Sequence, residues 1–344
     1  MQDLPFGLYG YTIAVSLIAI MIAISGILIG LGYATNNKKF KEWGIDELSQ
    51  SIVNGALVGS MMLLFANNGM MDVLITNVTL GNGISMSCQQ FMQGNVALCL
   101  AYNYLGGTGY TYMGVYHPSI ASSVLGLITA LFGLNAVLGV IGSIGVNIFG
   151  FTLSFGQAMG PLLSTLQYLI RSLTTVEIGA LVQSSVLVFI SVGALTALLP
   201  VGLILRSFYP TRRLGGFIIA VFIGTYVVLP LSYVLNAFMA GTYVAGVNST
   251  SIQGFTVNAT NVKNAILAAQ QSKSVGVVAA IEGAVSSLIS SFSGVLNWLV
   301  DMLSFYIVYT FILPAFSVVL TAVSVRELSR LLGSETSFWI LDIL

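Results

Sequence analysis

Charge is confined to a few short stretches of this chain, and long apolar runs separate them. Eleven basic and eleven acidic residues are all that 344 positions carry, against 56% hydrophobic residues and a mean hydropathy of +0.95. A water-soluble domain has roughly a quarter of its residues charged, so a chain this poor in charge belongs in a bilayer. The apolar runs are Gly-rich and of helix length rather than alternating ten-residue strands, which excludes an outer-membrane-type barrel. The expected fold is all-α: a polytopic transmembrane helical bundle in the cell membrane, with residues 1–344 forming a single integral membrane domain.

The placement of the charges predicts an orientation. The first apolar run, about Leu8 to Gly32, is preceded only by Asp3 and followed at once by Lys38, Lys39 and Lys41. The positive-inside rule then puts the N-terminus outside and the Lys-rich turn in the cytoplasm. Asp3, the missing basic n-region and the length of the apolar run argue against a cleaved signal peptide. Arg206, Arg212 and Arg213 mark a second cytoplasmic turn, and Arg326 and Arg330 open a cytoplasmic tail over about 326–344. The cytoplasmic turns cover about 33–51 and 205–213. The polar stretches about 76–118 and 241–276 read as extracellular loops.

Sequons agree with this frame. Asn77, Asn248 and Asn258 each head an N-x-[ST] triplet, and all fall in the two outer stretches; they are the glycosylation candidates, with chance placement in polar loops as the alternative. Cys88 and Cys99 lie in the first outer loop, where a disulfide is permitted and contributes roughly 2–3 kcal/mol by chain entropy; two separate thiols are the alternative. Two cysteines and the single His117 cannot furnish a four-ligand zinc site, and His117, before Pro118, reads as a loop residue at the membrane surface.

Seven spans follow, at about 8–32, 52–75, 119–146, 148–172, 178–204, 214–240 and 301–325, with Asp46 and Glu47 in an amphipathic lead-in to the second. The segment around Gly156, Gly160 and Pro161 is the weakest, so five spans plus a re-entrant hairpin is the alternative. Glycines at small-xxx-small spacing (Gly26/Gly30, Gly55/Gly59, Gly156/Gly160, and Gly133, Gly139, Gly142 and Gly145) are expected to let helices pack closely. Pro200, Pro230 and Pro314 are expected to kink their spans.

Several chemistries are set aside. No Gly-x-x-x-x-Gly-Lys, His-Glu-x-x-His or Gly-x-Ser-x-Gly pattern is present, so the chain is expected to be no enzyme and to need no metal or cofactor. The ionisable residues near the spans are Arg171, Glu177, Glu282 and Asp301, each near an expected span end. A coupled carrier places carboxylates at mid-membrane, so snorkelling or pairing, with Arg171–Glu177 the obvious pair, weighs against a transport role for Glu177 and Asp301. The stretch 89–116, rich in Gln, Asn, Gly and in Tyr102, Tyr104, Tyr110, Tyr112 and Tyr116, reads as a loop on the headgroups or a docking surface for an external partner.

One segment carries a resemblance. Pro200-Val201-Gly202-Leu203-Ile204-Leu205-Arg206-Ser207-Phe208-Tyr209-Pro210-Thr211-Arg212-Arg213-Leu214-Gly215-Gly216, leading into an apolar span ending at Pro230, resembles the cytoplasmic turn of the CedA family, polytopic proteins of the crenarchaeal DNA-exchange system. The stretch from Pro314-Ala315-Phe316 to Arg326-Glu327-Leu328-Ser329-Arg330-Leu331-Leu332-Gly333 is similar to the same family and, more distantly, to the polytopic channel subunit of type IV secretion systems. The likeness covers roughly the C-terminal half. It implies a membrane channel or scaffold in DNA import, in a complex with a membrane-associated ATPase and small membrane subunits, with DNA as cargo. A small-molecule permease and a structural anchor for a surface appendage are the alternatives. Arg206, Arg212 and Arg213 are the candidates for contact with a partner or a phosphate, their plain role being that of a topology determinant.

Overall fold

The computed structural model describes residues 6–65, 70, 95–112, 115–142, 145–148, 151–207, 209–244, 297 and 299–333. Asn77, Cys88, Asn248, Asn258 and Glu282 lie outside them. Helices dominate, as expected for an all-α membrane protein, and among the described residues four are long and apolar enough to cross a bilayer: Thr12–Ala34, Gly160–Ser207, Arg212–Ala240 and Leu299–Leu331. The chain divides into two compact units, Met1–Ser119 with Leu181–Gly241 and Leu313–Leu344, and Ile120–Ala180 with Thr242–Ile312.

In the first unit, α1 (Phe6–Ala34) and α2 (Lys38–Phe65) form an antiparallel hairpin. The turn places Asn36 at φ 50°, a left-handed conformation that Asn tolerates better than most residues. The helices touch backbone to backbone near the turn, where a Cβ on Gly32 would lie 2.7 Å from the Lys41 amide nitrogen. On α1, Ile13, Ile20, Ile24, Ile27 and Leu31 remain between 45% and 62% exposed. That apolar face suits lipid and would be a liability in water. On α2, by contrast, Glu47, Ser51, Asn54, Val58 and Met61 recur at helical spacing and are all buried, so a polar half-stripe points into the protein.

A short helix, α3 (Val96–Leu105), follows, then a hairpin of β1 (Tyr110–Tyr112) and β2 (Val115–His117) with Tyr110 opposite His117. Over 96–110 this region corrects the expected surface loop, of which 89–94 and 113–114 lie outside the described residues, while Tyr116 is exposed. Ala97, Leu98, Cys99, Leu100, Ala101 and Leu105 have no exposed surface, and Tyr104 and Tyr110 are buried. The Tyr110 hydroxyl donates to the Ala237 carbonyl at 2.8 Å. His117 is buried as well, stacked on Tyr110 at 5.4 Å, and burial pushes its imidazole below the usual histidine range. The Gln, Asn and Tyr content suggested headgroups, but the Val-Ala-Leu-Cys-Leu-Ala run decides the outcome because it buries its whole circumference.

The second unit contains α4 (Ile120–Gly142), the hairpin of β3 (Gly145–Ile148) and β4 (Phe151–Ser154), and the start of α5 (Phe155–Gly193). Within it Gly179 lies against Phe311, whose ring carbon would be 2.9 Å from an added Cβ. Two corrections arise. The third span ends at Gly142 and a β-hairpin follows it. The expected fourth and fifth spans, 148–172 and 178–204, are one helix without a turn between them, since Gly160–Ser207 runs 48 residues, roughly 72 Å at the α-helical rise. Pro161 is the seventh residue of α5, past its first turn, so its missing N–H removes one i→i−4 bond without ending the helix.

Among the described residues three π-helical turns interrupt the long helices, and each runs into Leu-Pro. Ala194–Leu198 precedes α6 (Leu199–Ser207), Gly224–Val228 joins α7 (Arg212–Ile223) to α8 (Leu229–Val244), and Val308–Ile312 precedes α9 (Leu313–Leu331). Pro200, Pro230 and Pro314 each lack an N–H and crowd the carbonyl four residues back. The wider π turn relieves that crowding, so the helix continues past each proline.

Candidate functional site

The site is built where α2, the α6–α7 turn and the end of α9 meet. Arg206 sits one residue before the end of α6, and a 3₁₀ turn, Tyr209–Thr211, leads to Arg212 at the start of α7. The Thr211 hydroxyl donates to the Leu205 carbonyl at 2.7 Å, satisfying one acceptor that the helix end would leave open. Two glycines allow the close approach. A Cβ on Gly215 would lie 2.3 Å from the Arg206 amide nitrogen, and one on Gly216 would lie 3.0 Å from the Leu332 carbonyl oxygen.

These contacts enclose a cleft of about 540 Å³ lined by Gln50, Arg206, Pro210, Arg212, Arg213, Leu332 and Gly333. Arg212 donates from Nη1 to Asp46 Oδ2 at 2.8 Å and from Nη2 to Glu47 Oε2 at 3.4 Å. Arg206 is only 6% exposed. Its Nη2 reaches Gln50 Oε1 at 3.5 Å, the outer limit of a hydrogen bond, while Nε and Nη1 are buried with no acceptor among the described residues. Arg213 is exposed. Three guanidinium groups thus face two carboxylates, and both carboxylates are engaged by Arg212.

Glu47 is buried and its Oε1 has no hydrogen-bond donor among the described residues. Burial pushes its carboxyl above the usual range, outweighing the opposing pull of Arg212. Because the folded value is raised, stability from the protonated form is present at low pH and lost as pH rises through that value. Glu47→Gln keeps an acceptor for Arg212 and removes the charge. It is expected to raise the thermal midpoint at neutral pH and to have no effect near pH 4, read from melting curves of the purified protein.

The other residues singled out from sequence fall elsewhere. Arg171 and Glu177 both lie inside α5. Six helical positions separate them, a rotation of roughly 240°, so they do not share a face, and the expected pairing near a helix end is corrected. Asp301 is exposed. Cys99 is disulfide-bonded and buried in α3, with Asn103 Nδ2 at 3.5 Å from its sulfur. Among the described residues no cluster of His, Cys, Asp or Glu is suited to a metal ion.

Sequence reasoning missed Glu47 and Gln50 as partners of the arginines, and Asn95. Asn95 accepts from the Leu98 amide at 3.1 Å and so caps α3, while its Nδ2 donates to the Tyr226 carbonyl at 2.9 Å. Pro230 cannot supply an N–H to that carbonyl, four residues before it. The available signal was an Asn immediately before an apolar run. No protein-family model, no curated protein and no solved structure matches this chain.

Proposed function

We propose that this chain is a membrane-embedded channel or scaffold subunit of a DNA-import machinery, working with a separate membrane-associated ATPase and small membrane subunits. One observation carries the reading. The two segments that resemble the CedA family, 200–216 and 314–333, are far apart in sequence yet build opposite parts of one arginine cleft. With no phosphate-binding loop in the sequence, energy must come from a partner, and the exposed Arg213 beside that cleft suits an acidic protein surface or a DNA phosphate.

The topology that fits this reading has five crossings: α1, α2, α5 continuing into α6, α7 continuing into α8, and the helix ending in α9. In that topology the N-terminus is outside. The ion pairs from Arg212 to Asp46 and Glu47, and the approach of Gly216 to Leu332, gather the three basic segments at one end of their unit, which the positive-inside rule makes the cytoplasmic end.

The test replaces Arg206, Arg212 and Arg213 together by Lys, keeping charge and removing the planar fork. Insertion is expected to stay normal, with a cysteine placed at Ser207 unreactive to an impermeant label from outside. DNA uptake is expected to fall about tenfold or more, the scale of one lost charged hydrogen bond. Unchanged uptake would reduce the turn to a topology determinant. A second reading, a small-molecule permease, draws on Asn54, which is fully buried on α2 with neither amide atom partnered among the described residues. Co-elution of a hexameric ATPase separates the first reading from the second.

A further inference from the structure

We infer that the arginine cleft is a lipid site: it holds the phosphate of a phospholipid headgroup, with Arg206 as the inner donor and Arg213 as the outer one. An arginine that only anchors a helix end carries its charge out to the headgroup layer, as Arg330 does with its side chain 57% exposed. Arg206 does the opposite. It is 94% removed from solvent, lines the cleft, and has two buried donor nitrogens without an acceptor among the described residues. Donors of a buried cation left unmet are costly, so an acceptor that enters the cleft is strongly favoured.

The charges select the ligand. Asp46 and Glu47 are taken by Arg212, no carboxylate among the described residues lines the cleft, and the charges of Arg206 and Arg213 remain for the occupant. A phosphate ester offers several acceptor oxygens to converging guanidinium groups, where a carboxylate offers two. The position selects its source. Arg206 is the penultimate residue of a 48-residue apolar helix and Arg212 is the first residue of a 29-residue one. The cleft therefore lies where these helices leave the hydrocarbon, within the headgroup layer of about 5–8 Å. Pro210 and Leu332 in its lining, next to Leu331 at 82% exposure, provide apolar surface for the glycerol and first acyl carbons.

The inference stands apart from the DNA reading, because its test needs neither ATPase nor nucleic acid. The full chain, purified in mild detergent and washed free of bulk lipid, is examined by native mass spectrometry and phospholipid extraction. The wild type is expected to retain a bound phospholipid that Arg206→Gln loses. Arg213→Gln, at an exposed position compatible with folding, is expected to retain it about tenfold less well, and decides the matter if Arg206→Gln does not fold. Retention equal to wild type in Arg213→Gln and in folded Arg206→Gln would overturn the assignment. So would displacement of the lipid by inorganic phosphate or by a short single-stranded oligonucleotide, which would give the cleft to a soluble phosphate or to DNA.

Discussion

Gly215→Val is expected to open the arginine cleft and lower the stability of its unit by about 3 kcal/mol. An added Cβ there would stand 2.3 Å from the amide nitrogen, 2.7 Å from Cα and 2.8 Å from Cβ of Arg206. Those atoms are backbone or fixed to it, so no rotamer change relieves the clash and the ends of α6 and α7 must part. Separation would pull Arg206 from Gln50 and move Arg212 off Asp46 and Glu47, so lipid retention at the cleft should fall together with the melting temperature. Gly59→Ala and Gly133→Ala are the controls, since a Cβ at either meets nothing within 4 Å among the described residues. Melting followed by size-exclusion chromatography in detergent should show a large loss for Gly215→Val and almost none for the controls. Equal losses at all three positions would mean that general glycine content, not this approach, sets the stability.

That contrast shows where sequence reading stopped. Small-xxx-small spacing pointed to Gly26/Gly30, Gly55/Gly59 and Gly133, yet Gly26, Gly30, Gly59 and Gly133 meet no neighbour among the described residues, and Gly55 makes only an ordinary contact at 3.8 Å with Ile18. Tight approaches between helices occur instead at positions such as Gly32, Gly44, Gly179, Gly202, Gly215 and Gly224. Spacing identifies a face of a helix; it cannot say whether another helix lies against that face. Charge placement told more, because it acts through the bilayer rather than through a neighbour. The α2 residues Asp46, Glu47 and Gln50, the α6–α7 arginines and the end of α9 come together in their unit although they are far apart in sequence. The extent of α1 was legible for the same reason. The single helix across 172–178 was not, since polar Arg171 and Glu177 resemble a span boundary unless the helix is known to continue.

Asn95→Leu should detach α3 from its seat, with a cost of about 2 kcal/mol that combines a lost N-cap and a lost hydrogen bond to the Tyr226 carbonyl. Measured along α7, Tyr226 lies about 21 Å from Arg212, so the start of α3 is held near the middle of the span. At that depth every backbone polar group must find a partner in the protein. Asn95 serves two of them at once: the Leu98 amide and the Tyr226 carbonyl beside the π turn that Pro230 imposes. Asn95→Ser keeps the capping oxygen and removes the amide donor, and should lose only the second contribution, about half of the total. Hydrogen exchange of the α3 amides, ordered wild type, Asn95→Ser, Asn95→Leu from slow to fast, is the expected result. If exchange is the same in all three, then Leu98, Leu100 and Leu105, fully buried on the same helix, hold it by packing alone, and the π turn at Gly224–Val228 is accommodated without help from α3.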